Sequence, residues 1–186
     1  MGIINKYGLN KLALLVVMLI SIVSYSQKYT EYDVKAAYLY NFSKFITWPD
    51  ESKNKDKDFV FVVYKNEAFA KTLLNLVKDR QVKGRKCVVR LVYKPEDIPR
   101  CNILFVSNVS TIELKKVLTS IKSKQIVTVG DNIEDFCLKG GVINFTSKHS
   151  EKRFEINLDI AKKKEIRISS KLIVLAKIIS SKYVVF

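Results

Sequence analysis

The chain has 186 residues, with 33 Lys or Arg against 18 Asp or Glu, for a formal net charge of +15 at pH 7. That length suits one domain with a proper core. The basic balance would suggest nucleic acid in a cytosolic protein, but no recognition motif accompanies it. The charge is spread instead as Lys among other residues, as in Lys53-Asn54-Lys55-Asp56-Lys57-Asp58 and Lys162-Lys163-Lys164. Such a pattern mainly describes a solvated surface, with attraction to anionic headgroups or an acidic partner as the alternative.

Lys6 and Lys11 precede an apolar run from Leu12 to Val23, and Ser24-Tyr25-Ser26 supplies small residues at its exit. This is the three-part pattern of a secretory signal peptide, which predicts cleavage after Ser26 and an exported, periplasmic protein. The apolar run is shorter than the ~20 residues of a spanning helix, although an uncleaved anchor is the competing reading. No cysteine stands at the exit, so a lipoprotein is not expected. The domain reading is residues 1–26 as signal peptide and 27–186 as one α/β domain.

Apolar residues at spacings of three and four predict a helix over Glu31 to Thr47, ended by Trp48-Pro49. Asp50 to Asp58 reads as a surface loop. Strands are expected at Phe59–Tyr64, Cys87–Tyr93, Asn102–Ser107, Gln125–Val129 and Val142–Thr146. Helices fall between them at Ala68–Lys78, Ser110–Ser120 and Ile133–Leu138. A polar turn at Ser147–Lys152 leads into a hairpin partner at Arg153–Leu158, followed by a short helix over Ile160–Lys164. Ser169 or Ser170 would cap a closing helix with Leu172, Leu175, Ala176 and Ile179 on its face. Alternating strands and helices predict a single three-layer α/β domain. Its mixed, mostly parallel sheet would have helices on both faces, a C-terminal hairpin and the closing helix.

Residues that carry chemistry are sparse. The single histidine, His149, falls in a polar turn, where a solvated side chain is the plain reading. No paired cysteines, clustered carboxylates or glycine-rich phosphate loop appear, so neither metal, cofactor nor catalytic residue is expected. Gly140-Gly141 precedes a strand and reads as a tight turn. Three cysteines, Cys87, Cys101 and Cys137, leave one over in any pairing. Reduced, partly buried thiols are expected, with a Cys87–Cys101 bridge as the alternative.

Two groups are candidate binding residues. In an open parallel sheet, ligands bind beyond the carboxyl ends of the strands. Asn66, Asn108 and Asp131 stand at three such ends, where they either cap the next helix or face a small polar molecule. Tyr40, Lys44 and Trp48 lie at i, i+4 and i+8, off the main apolar stripe of the first helix. With Lys171 and Val174 of the closing helix they form a candidate partner-binding patch, since interface anchors are enriched in Trp and Tyr. The alternative is that Trp48 plugs the core.

The block Lys35-Ala36-Ala37-Tyr38-Leu39-Tyr40-Asn41-Phe42-Ser43-Lys44-Phe45-Ile46-Thr47-Trp48-Pro49 resembles the N-terminal signature of the YfiR/HmsC-like family. Cys101 to Ser107, Gly140 to Phe145, Arg153 to Leu158 and Ile168 to Ala176 resemble further blocks in the same order. A Cys-His pair usual in the family reads Cys101-Asn102 here. Asn144 stands where some members have a second cysteine, seven residues after the one matching Cys137. The resemblance implies a periplasmic repressor that binds a membrane diguanylate cyclase and keeps cyclic-di-GMP and biofilm formation low. A small-molecule-sensing module that relays to a membrane sensor kinase or channel is the alternative, and an envelope enzyme lacks a visible nucleophile–base pair. The expected partner is therefore an inner-membrane signalling protein, not nucleic acid, and a homodimer fits the same description.

Overall fold

Helix α1 (Glu31–Phe45) carries Glu31 and Asp33 in its first turn and Lys44 in its last, charges that complement the helix dipole. It opens the unit that begins at Glu31 in the computed structural model, which describes residues 29–49, 57–146 and 152–180. The expected signal segment, most of the 50–58 loop and His149 lie outside the described residues. The helix stops two residues before the expected end. Ile46-Thr47 instead form β1, which pairs antiparallel with β9 (Arg167–Ile168). Two β-branched residues shortly before a proline favour this extended path.

The larger sheet is built from β2 (Phe59–Tyr64), β3 (Gln81–Val82), β4 (Arg85–Val92), β5 (Ile103–Ser107), β6 (Val127–Asp131), β7 (Ile143–Phe145), β8 (Phe154–Asn157) and β10 (Lys177–Ile179). Their order is β10-β8-β7-β6-β5-β2-β4-β3. The five central strands β7, β6, β5, β2 and β4 are mutually parallel. Strand β8 returns antiparallel beside β7 as the expected hairpin, and β3 is antiparallel to β4. The α/β class and the mostly parallel, mixed sheet are as the alternation predicts.

Both faces of the sheet are covered, which is why the central strands are nearly continuous apolar runs. On one face Phe59, Phe61, Val63, Ile103, Phe105 and Val129 pack with α1 and with α2 (Glu67–Val77). Phe105 stacks on Phe69 of α2 at a centroid distance of 3.9 Å. On the other face Val62, Tyr64, Leu104 and Val106 meet Leu114 and Val117 of α3 (Thr111–Ser120), together with Phe136 and Cys137. Burying each Phe or Leu side chain contributes about 1.5–3 kcal/mol, so these two cores dominate stability. A short helix, α4 (Leu158–Lys163), follows β8.

Two local expectations change, and one alternative falls away. The closing helix is a single turn, α5 (Ser170–Ile173), and Ile179 belongs to β10, parallel to β8. The β-branched Ile178-Ile179 pair suits a strand, and the edge of β8 offers backbone groups that need partners. Ile133–Leu138 is a set of turns, interrupted where Asp135 takes φ +53°. The alternative Cys87–Cys101 bridge is absent: all three cysteines are free and buried. Cys87 belongs to the core under α1 and α2, whereas Cys101 belongs to the core under α3.

Gly140 and Gly141 do form a tight turn, but for different reasons. Gly140 has φ +101°, a conformation that disfavours any side chain. At Gly141 an added Cβ would lie 2.1 Å from the Phe136 ring.

Candidate functional site

Strands β2, β5 and β6 end side by side, and the chain leaves each through a short polar loop. One residue in every loop turns left-handed: Lys65 at φ 54°, Asn108 at 51° and Asn132 at 50°. Asparagine tolerates this conformation. Lysine does not gain that local compensation, and strain of this kind costs ~1–3 kcal/mol. The loops border a cleft of about 800 Å³, lined among others by Tyr32, Lys35, Asn66, Ser107, Asn108 and Asp131. The structure thus brings Asn66, Asn108 and Asp131 to one place at the carboxyl ends of the strands. Pockets for small ligands span ~300–1,000 Å³, although most have more apolar walls than this one.

Asn66 fills the helix-capping role. Its Oδ1 accepts a hydrogen bond from the Phe69 backbone N–H at 2.9 Å, starting α2. Its Nδ2 donates to Ser107 Oγ at 2.8 Å and to the Tyr32 hydroxyl at 3.2 Å, so the same side chain also ties α1 and β5 to the cleft wall. Ser110 caps α3 in the same way, accepting from the Glu113 N–H. Asn108 is exposed at the cleft. Asp131 is committed to an ion pair with Lys35, whose ammonium also reaches Glu31.

Next to the cleft, Glu113 accepts hydrogen bonds from the Tyr64 hydroxyl at 2.8 Å and from Lys65 Nζ. Burial, and then the bond to Glu113, push the Tyr64 phenol up to about 12. Lys65 and then Tyr64 hold the Glu113 carboxyl below the usual range. Burial alone would lower the Lys35 pKa, but its hydrogen bonds to Asp131 and Glu31 outweigh that and raise it. Tyr32 and Lys35 were not among the sequence candidates. The Glu31–Lys35 spacing shows a helical ion pair, but nothing local reveals that Lys35 reaches a strand 96 residues away.

The other candidate group is not a surface ridge. Tyr40 is 8% and Trp48 6% exposed. The Tyr40 hydroxyl donates to the Gln81 carbonyl, and the Trp48 ring meets Phe59 edge-on at 5.2 Å. Because α1 ends at Phe45, Trp48 is not at i+8 of a continuous helix, and the turn through β1 swings it inward. Lys44 is exposed and lies 4.2 Å from the Tyr40 ring centroid. Lys171 and Val174 are exposed as expected. Val174, Leu175 and Ile178 are exposed by 68%, 57% and 45%, forming an apolar stretch along α5 and the outer strand β10.

A family model described as YfiR/HmsC-like matches residues 32–177. The chain belongs to the YfiR/HmsC-like family. Among solved structures, a conserved domain protein from Vibrio cholerae O1 biovar El Tor strain N16961 is similar, with a TM-score of 0.50 at 12% identity. The match covers 78% of this chain and 59% of the Vibrio protein, so this YfiR/HmsC-like chain spans less than two thirds of that protein's length. Likeness at that identity shows the fold alone. No curated protein sequence matches at a significant level. Family membership supports a periplasmic regulatory role. Among the described residues, no helix is long and apolar enough to cross a membrane, and no cluster of His, Cys, Asp and Glu is placed to hold a metal ion.

Proposed function

We propose that this YfiR/HmsC-like protein is an exported regulator that acts by binding, not by catalysis. Its partner is an inner-membrane signalling enzyme of the diguanylate-cyclase type, held inactive by the bound regulator. The family match over residues 32–177 carries this reading. The apolar stretch Val174, Leu175 and Ile178 supplies a surface for it, flanked by Lys171 and Lys177. Outer strands with apolar side chains invite pairing with another chain, and basic flanks favour an acidic partner. The Tyr40 and Trp48 side chains support the protein core instead, so the docking surface is centred on α5 and β10, with Lys171 and Val174 retained.

A pull-down of the purified mature protein from detergent-solubilised membranes tests this. The expected capture is a membrane protein with a cyclase domain, identified by mass spectrometry. Val174→Asp with Ile178→Asp should abolish capture without lowering the melting temperature, and cells carrying it should accumulate cyclic-di-GMP. Undiminished capture by this variant would move docking away from the β10 edge. Absence of any cyclase in the wild-type capture would remove the repressor reading.

The cleft at Asn66, Asn108 and Asp131 favours a second reading, in which a small polar molecule is sensed there and its occupancy is relayed to a membrane kinase or channel. The strained backbone of Lys65 at the cleft supports it, because backbone strain gathers at ligand sites. Thermal-shift screening of polar metabolites against wild type and Asn108→Ala separates the two: a stabilising compound whose effect the substitution removes favours sensing.

A further inference from the structure

A second cleft lies at the other end of the sheet, where β2, β5 and β6 begin. Its volume is about 660 Å³. Among the described residues, five basic side chains line it, Lys57, Arg85, Arg90, Arg100 and Lys124, against one carboxylate, Asp58. Two of the cations are used by the fold. Arg85 is buried and donates from Nε to the Lys57 carbonyl at 2.7 Å and from a terminal nitrogen to the Asp58 carbonyl. Lys124 Nζ donates to the Ile98 carbonyl at 2.9 Å. Among the described residues, Lys57, Arg90 and Arg100 have no such partner.

A second observation falls at the same place. Trp48 is part of the cleft wall, and its indole N–H is a buried donor with no hydrogen-bond partner among the described residues. An unused buried donor costs ~1–3 kcal/mol unless something accepts from it. Among the described residues, the lining therefore carries an excess of positive charge, beside the polar side chains of Asn102, Ser123 and Gln125. Guanidinium groups match phosphate geometry through paired N–H bonds, and several cations together favour a dianion over a single carboxylate. The volume exceeds what a bare phosphate ion fills and falls within the range of small-ligand sites.

We propose that this cleft binds a phosphate group borne by a small ligand, with Arg90, Arg100 and Lys57 on the phosphate and Trp48 beside the remainder. The two clefts then have different chemistry: the first has mixed charge, and the second is cationic. The inference is independent of docking at β10, since it uses none of those residues.

Trp48 is the only tryptophan in the chain, so intrinsic fluorescence reports on this cleft directly. The purified protein would be titrated with inorganic phosphate, with glycerol 3-phosphate, and with phosphatidylglycerol vesicles, all at matched ionic strength. A saturable emission change is expected, and Arg90→Gln with Arg100→Gln should weaken binding at least tenfold. Both arginines are exposed, so the variant should fold, which circular dichroism checks. Lys163→Gln, an exposed charge outside the cleft, should bind as wild type. Saturation by glycerol 3-phosphate identifies a soluble ligand, whereas saturation by vesicles alone identifies a lipid headgroup, and either supports the site. A response equal to that of sodium chloride, no saturation with any probe, or full binding by the double variant would overturn it.

Discussion

Lys35 Nζ lies 2.5 Å from Asp131 Oδ1, and the two side chains are only 13% and 10% exposed. This pair joins the first helix to the carboxyl end of β6, across 96 residues of chain. Lys35→Met would leave the Asp131 carboxylate largely buried without its cation. The expected loss is on the order of 1–3 kcal/mol, since an orphaned buried group bears its full desolvation cost. Chemical denaturation of Lys35→Met, Asp131→Asn and the double variant measures it. Coupling shows as a double variant less destabilised than the sum of the two singles.

Alkaline pH should weaken the fold through Tyr64. Its phenol is raised from the ordinary value of 10.0 to about 12. Between those values the unfolded chain loses this proton while the native state keeps it. The stability contribution is therefore complete below pH 10 and is lost as pH rises through about 12. Lys35, with its raised pKa, contributes in the same direction. A difference titration of wild type against Tyr64→Phe, followed by tyrosinate absorbance, should show one tyrosine ionising near the raised value. The variant should also lose less stability over that interval.

Trp48→Ala should cost ~3–5 kcal/mol, the range for emptying a buried aromatic site. Trp48→Phe keeps the ring against Phe59, removes an N–H with no partner among the described residues and should be far milder. Lys44→Glu loses a cation–π contact with Tyr40, worth ~0.5–1 kcal/mol at an exposed site, and reverses a charge that complements the dipole at the end of α1, worth ~0.3–1 kcal/mol. Melting curves should place Trp48→Ala well below the other two variants.

Reductant should barely move the melting temperature, because Cys87, Cys101 and Cys137 are all free. A disulfide loss would instead cost ~2–5 kcal/mol. Burial also raises all three thiols, Cys101 to about 12. Thiolate is the reactive form, so a thiol reagent should modify the native protein slowly and the unfolded protein fast. Rapid labelling of the native state would show that these sites open.

Sequence alone determined what is written in local pattern. The apolar runs Phe59–Tyr64 and Ile103–Ser107 are buried strands because nothing else accommodates such residues on both faces. Asn66 and Ser110 stand where helix caps must. That Asn66, Asn108 and Asp131 meet at one cleft was legible because parallel strands end on the same side of the sheet. Tertiary structure decided the rest. Trp48 turns inward only because Ile46 and Thr47 find partners in Ile168 and Arg167, more than a hundred residues away. Residues 177–179 form a strand, not a helix, because β8 presents an open edge to them. The cationic cleft gathers Lys57, Arg90, Arg100 and Lys124 because β2 lies between β4 and β5. Periodicity records which face a residue prefers. Which distant face it meets depends on sheet order, and that is settled only when long-range burial and backbone pairing offset the entropy of closing the loops between them.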